Sequence, residues 1–177
     1  FNEDNLPEEG RNAIRLFRRN VDRQAYNEQR LEQMKNRDKG RNRIEFIAQD
    51  SIVGALSETD KRQALYSLKN ASTEDTQGLP SSIVLQIGAR YMITSNIDVA
   101  DGLFNGACGI LRFIEFNESK AGNIFIEFDD SSIGKNVRGK YKSKYQHTRE
   151  IHETWTPISR IKLSFQITRK GYVRVSI

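Results

Sequence analysis

The sequence predicts an α+β fold, in which a partial α/β unit of a strand and helices is followed by a small antiparallel β-barrel. Three observations predict it. Helix formers flanked by capping residues dominate much of the stretch between Asn20 and Asn70. From Ser82 onward the apolar residues move to period two, beginning with Ile83, Leu85 and Ile87. At least five short strand candidates follow Pro80, enough for a small barrel. At 177 residues the chain holds one compact domain, or one small domain with pieces of another. No apolar run is long enough to cross a bilayer as a helix, and Cys108, the single cysteine, cannot form an internal disulfide or a multi-cysteine zinc site. A reducing compartment is expected.

Taken in order, Ala13, Ile14, Arg15, Leu16 and Phe17 read as a short buried strand. Asn20 is placed to cap a helix over 21–34 with Asp22 in its first turn, although the apolar stripe is ragged and propensity carries the assignment. A polar loop over 35–43 leads to a strand over 44–48. Ser57 with Asp60 forms a capping box for a second helix, whose Ala64, Leu65 and Leu68 lie at helical spacing and which ends near Asn70. Residues 71–79 are a Ser, Thr, Asp and Gly linker. Beyond it, Ile83, Leu85, Ile87, Tyr91 and Ile93 alternate, Asn105 and Gly106 supply a tight turn, and 110–116 pairs with 123–129 through a connector at 117–122. Residues 151–155, 158–167 and 172–177 are the remaining strand candidates. The start at Phe1 without an initiator Met, and the end in an alternating strand pattern, read as a fragment of something longer.

The net charge of +5 is distributed unevenly. Residues 134–177 carry 11 Lys/Arg against 2 Asp/Glu, and the rest of the chain 17 against 21. Within the basic part Lys135, Arg138, Lys140, Lys142, Lys144 and Arg149 interleave with Tyr141, Tyr145 and His147. That mixture suits phosphate contact and base stacking in a single-stranded nucleic acid groove; the alternative is a lysine-rich exposed hairpin kept soluble by its charge. A second basic stretch over 11–43 reads as a solvated helix face.

No catalytic constellation stands out. His147 and His152 are five apart and fit no common zinc spacing. The pairs Asp129–Asp130 and Glu8–Glu9 fall in expected loops or tails with nothing nearby to shift a pKa. No G-x-x-x-x-G-K-[ST] phosphate loop occurs in the chain.

The informative string is Leu79, Pro80, Leu85, Ile87, Gly88, Ala89, Met92, Ile93, Asn96, Ile97, Asp98, Asp101, Gly102, Leu103, Asn105, Gly106 and Gly109. In this order and spacing it resembles the signature of the petite-integration-frequency (Pif/RecD-like) helicases, in the barrel the family calls domain 2B. Leu16, Phe17, Asn20, Ala25, Tyr26 and Asn27 resemble the family's motif four. Arg19 departs from its usual Thr there, and Arg23 from its usual small aliphatic residue. Trp155, Thr156, Pro157 and Ile158 look like its return from barrel to motor core.

The resemblance implies a RecA-like part of the second motor domain over 1–48, a helical linker over 49–79, an SH3-like barrel over 80–170 and a return to the motor core over 171–177. It implies a parent that is an ATP-dependent helicase of superfamily one, moving 5′ to 3′ on single-stranded DNA and opening duplex, hybrid or quadruplex structures. Roles in repair, recombination and telomere maintenance go with the family, as does nuclear, or also mitochondrial, localisation. ATP and Mg2+ would serve the intact parent, with none bound by this piece. The Walker motifs would lie upstream of Phe1, and the strand-coupling and arginine-finger motifs beyond Ile177. The expected partner is single-stranded DNA or a duplex/single-strand junction, with no membrane.

Gly88, Gly102, Gly106 and Gly109 suit turns or close backbone approach, Asn96 and Asp98 can cap the connection, and Met92, Ile93, Leu103 and Ile110 would fill the core. DNA contact falls instead to Arg18 and Arg19 at the end of the first strand, and to Lys140, Tyr141, Lys142, Lys144, Tyr145 and Arg149 on a basic hairpin. Trp155 is read either as core or as a base-stacking ring. A rival from another class is a non-enzymatic barrel module that binds nucleic acid or a protein tail.

Overall fold

The computed structural model describes residues 15–38, 42–53, 57–69, 71, 75–76, 78–117, 120–167 and 170–176. The chain divides into two units, Phe1–Arg41 and Asn42–Ile177.

In the first unit, α1 spans Asn20–Asp38. It runs four residues further than the sequence suggests, into the expected loop, and Gln24–Glu28 and Arg30–Gln33 side-chain hydrogen bonds knit its solvated surface. Asp22 lies in the first turn, where Arg19 grips it with Nε and Nη2 at 2.8 and 2.7 Å. The expected strand does not form over 15–17, and Ala13 and Ile14 lie outside the described residues. Leu16 is 94% exposed, while Phe17 folds back onto Tyr26 of the helix with ring centroids 5.2 Å apart.

The second unit begins with β1, Arg43–Ile47, which pairs antiparallel with β3, Ser82–Gln86. Between them lie β2, Gln49–Val53, and α2, Glu58–Lys69. The α2 start follows the capping-box reading: the Asp60 N–H donates to Ser57 Oγ at 3.1 Å, and the Ser57 hydroxyl donates to the Asp60 carboxylate at 2.8 Å. Ala64 and Leu68 on its buried face meet Ile52 of β2 and Leu163 of β8, Ile161–Ile167. β2 has no counterpart in the sequence reading. Its pattern is short and polar, and its pairing partner is β9, Lys170–Ser176, more than a hundred residues on, giving the order β2-β9-β8.

The third sheet has the order β4-β5-β6-β7, from Arg90–Met92, Cys108–Asn117, Lys120–Phe128 and Thr156–Ile158. Its inner face carries the main core, with Leu111, Ile114, Ile124, Ile126 and Ile158 closed by Leu85 and Leu103. Gly109 has to be glycine, since a Cβ there would sit 2.5 Å from the Glu127 carbonyl on the neighbouring strand.

The antiparallel strands are as expected, but among the described residues none of the three sheets closes into a barrel. The predicted strand over 158–167 is split because the chain changes sheets at 159–160, with β7 pairing with β6 and β8 with β9. The expected strand over 151–155 is a run of turns, fixed by the Ile151 N–H to Thr148 O and Trp155 N–H to His152 O bonds and by the His152 ring on Thr154. Met92 is 52% exposed instead of core, since Tyr91 and Ile93 on either side of it take the core-facing side of the alternation. The basic segment is a helix, α3, Lys135–Tyr145, and not a hairpin.

Candidate nucleic-acid interface

The reason α3 is helical lies 35 residues upstream. Asp101 ends the 3-10 turn Val99–Asp101, is 4% exposed, and accepts the Asn136 and Val137 backbone N–H groups at 2.7 and 2.9 Å. These are among the orphan donors of a helix start, so a remote carboxylate performs the work of a local cap. Gly134 sits just before α3 at φ 77°, and a Cβ there would overlap Thr156. Arg138 then straps the helix to β7, donating to Ile133 O at 2.6 Å, Thr156 Oγ1 at 2.8 Å and Ser131 O at 2.6 Å.

The C-terminal half of α3 is anchored by a second polar cluster. The Tyr145 hydroxyl donates to Glu115 Oε2 at 2.9 Å and accepts from Asn123 Nδ2 at 2.7 Å, while its ring stands edge-on to buried Phe125 at 5.0 Å. Lys144 Nζ reaches Glu115 Oε1 at 3.0 Å. Burial acts to raise the Glu115 pKa, but the hydrogen bonds from Lys144, Tyr145 and the Asn123 backbone outweigh it, and the carboxyl lies below its ordinary value. The Lys144 ammonium is pushed up, chiefly by its hydrogen bond to Tyr145, and the Tyr145 phenol is pushed up by burial.

These anchors sort the expected contact residues. Lys144 and Tyr145 are held within the protein, and Arg138 is a strut. Lys140, Lys142 and Arg149 are exposed, and among the described residues they make no ion pair. Tyr141 stacks on Tyr145, one helical turn away, with centroids 5.9 Å apart and planes at 17°. Alternation of Lys and Tyr gives period two in the sequence, yet Tyr141 and Tyr145 are equally a helical i, i+4 pair, and the Asp101 cap decides between the two. Arg18 and Arg19 belong to the first unit, where both are exposed and Arg19 is engaged with Asp22.

A groove of about 560 Å³ runs between α3 and the 151–157 segment. Tyr141, Lys142, Tyr145, His152 and Trp155 line it together with Phe125 and Pro157, which are buried. Trp155 is therefore neither a sealed core residue nor a free surface ring: half-buried, it tilts against His152 at 6.1 Å and faces the groove. Gly139 also lines the groove, and a Cβ added to it would meet open space.

The signature residues form the turn structure beneath α3. Asn96 Oδ1 accepts the Asn105 N–H at 3.0 Å and Asp98 Oδ1 the Asp101 N–H at 3.3 Å, so both side chains fold over the connection. Gly88 and buried Ala89 tie the turn after β3 to Leu111 of β5. Gly88, Gly102 and Gly106 have positive φ.

Asp129 and Asp130 are not simple solvated turn residues. Arg90 holds Asp129 in a two-pronged ion pair, and Ser132 hydrogen bonds pull the Asp130 carboxyl below its ordinary value. Glu8 and Glu9 lie outside the described residues. Among the described residues no group of His, Cys, Asp and Glu could hold a metal ion, and no helix is long and apolar enough to cross a membrane. Sequence reasoning missed the anchoring roles of Asp101, Glu115 and Asn123, whose partners are far along the chain. Only Asp101 had a signal, as a member of the signature string.

No family model matches the chain, and no curated protein matches it. It is similar to solved Pif1 helicase structures over most of its length. Unliganded Pif1 from Bacteroides sp matches 85% of this chain at 14% identity with a TM-score of 0.40, and the Pif1 helicase from Candida albicans 84% at 16% identity and 0.39. The Bacteroides sp Pif1 in complex with ADP-AlF4 matches 84% at 14% identity and 0.39. The chain spans 27%, 32% and 26% of these three structures, respectively.

Proposed function

We propose that the chain is the DNA-holding part of an ATP-dependent, superfamily-one 5′-to-3′ helicase, gripping single-stranded DNA while nucleotide hydrolysis takes place elsewhere in a longer protein. The helicase reading rests on the resemblance of the 79–109 string to the petite-integration-frequency signature. The DNA-holding reading is carried by one observation: α3 is held at both ends, yet Lys140 and Lys142 make no ion pair among the described residues, and Lys142 lines the aromatic groove. A cation already spent on an internal carboxylate has little to offer a phosphate. Free cations on a pre-ordered helix bind phosphates without first breaking a contact or ordering the backbone.

Lys140→Glu/Lys142→Glu tests this reading, with binding to a fluorescent single-stranded oligonucleotide followed by anisotropy. Affinity is expected to fall at least tenfold, with the circular dichroism spectrum of the protein unchanged because neither side chain makes an ion pair among the described residues. Unchanged affinity would remove α3 as the binding surface. Lys144 is excluded from the set, since reversing its charge would break the Glu115 cluster and confound binding with folding.

A further inference from the structure

The groove beside α3 has a chemistry that phosphate contact alone does not use. Tyr145 is occupied on several sides, with its edge to Phe125, its hydroxyl to Glu115 and Asn123, Lys144 Nζ 4.6 Å from its ring centroid and Tyr141 stacked against it. Tyr141 and Trp155 are the half-buried rings of the groove without such a full set of neighbours. Tyr141 extends a near-parallel two-ring stack, the arrangement that a third flat ring would continue. The volume of about 560 Å³ lies within the range of small-molecule sites, and Lys142 lies at the same groove with no ion pair among the described residues.

From this geometry we infer that the groove is a slot for one unstacked nucleobase of a single strand, taken up against Tyr141 and Trp155 while its phosphate is held by Lys142. The inference rests on the single-strand-holding reading and adds a definite stoichiometry to it, one base withdrawn from the stack per chain. The occupant is a nucleobase and not an apolar side chain of a protein, because the lining pairs flat rings with charged side chains, Arg138 and Lys142 against the one carboxylate of Glu153. Thr154 and His152 add polar groups at the same groove, as the polar edge of a base requires and an aliphatic side chain does not. Base–aromatic stacking tolerates any base, so the slot fixes the strand without fixing its sequence.

Trp155 is the only tryptophan in the chain, so its fluorescence reports on the slot directly. The 177-residue protein is titrated with an oligothymidylate and with an abasic sugar-phosphate oligomer of equal length, following both anisotropy and Trp155 emission. Quenching by the base-containing strand, with little or none by the abasic strand, is expected. Gly139→Leu, which fills the groove from a position with room for a side chain, is expected to weaken the base-containing strand about fivefold or more and to leave abasic binding unchanged. Tyr141→Ala is expected to act in the same direction. Equal affinity and equal quenching with both strands would overturn the slot while leaving the DNA-holding reading intact. So would a Gly139→Leu protein that is folded by circular dichroism and binds both strands like the wild type. Absence of binding to either strand would overturn both readings together.

Discussion

Glu115 shows how a single side chain can hold an element in place. It receives Lys144, Tyr145 and Asn123 at once, and its side chain is only 16% exposed, so these charge-assisted bonds are less diluted by solvent than a surface pair. Its folded-state pKa lies below its ordinary value of 4.5, and the sign of the pH effect follows. The carboxylate contributes stability at neutral pH, and that contribution is lost as pH falls from about 4.5 through the folded-state pKa. Urea unfolding measured at a series of pH values should therefore give a free energy that declines on acidification. Glu115→Gln is expected to cost about 1–3 kcal/mol near neutral pH and to flatten that decline. A variant that declines as steeply as the wild type would assign the acid sensitivity to another group.

Among the elements, α3 carries the functional argument, and its existence depends on Asp101. Removing that carboxylate leaves two helix-start N–H groups without their acceptor beside buried Gly134, so Asp101→Ala is expected to destabilise the protein by about 2 kcal/mol or more. Hydrogen exchange would localise the loss: residues 135–145 should exchange faster than in the wild type while β5 and β6 keep their protection. Uniform loss across the sheet, or none at α3, would contradict the cap.

The elements differ in how far they could be read from sequence. Ser57 with Asp60 is a local signal, and α2 starts where it says. The β5–β6 hairpin was readable from alternation on both sides of a turn, but the connector expected over 117–122 is shorter, since Asn117 pairs with Lys120 and Phe116 with Ala121. By contrast, β2 depends on a partner at the far end of the chain, and α3 on a carboxylate 35 residues upstream; neither dependence leaves a local pattern. The strand expected over 13–17 does not form over its described residues, 15–17, because a short apolar run specifies burial without saying against what, and Phe17 found Tyr26.

At the scale of the molecule, the residues named as DNA contacts were chosen by type, and the structure divides them by availability. Lys144, Tyr145 and Arg19 have partners within the protein, whereas Lys140, Lys142 and Arg149 do not among the described residues. Composition could not make that division, because all of these cations look alike in sequence. Trp155 joins the candidate site because the turns over 151–155 and the middle and C-terminal half of α3 converge on one groove, a fact of tertiary structure alone.

The account's central claim is that free cations on α3 grip the backbone of single-stranded DNA, and the salt dependence of binding tests it most directly. Affinity for an oligothymidylate should fall linearly with rising salt on logarithmic axes, and neutralising Lys140 and Lys142 with Gln should reduce the slope by about 0.7 for each phosphate contact removed. A slope identical in the wild type and the double variant, or binding indifferent to salt, would contradict the claim.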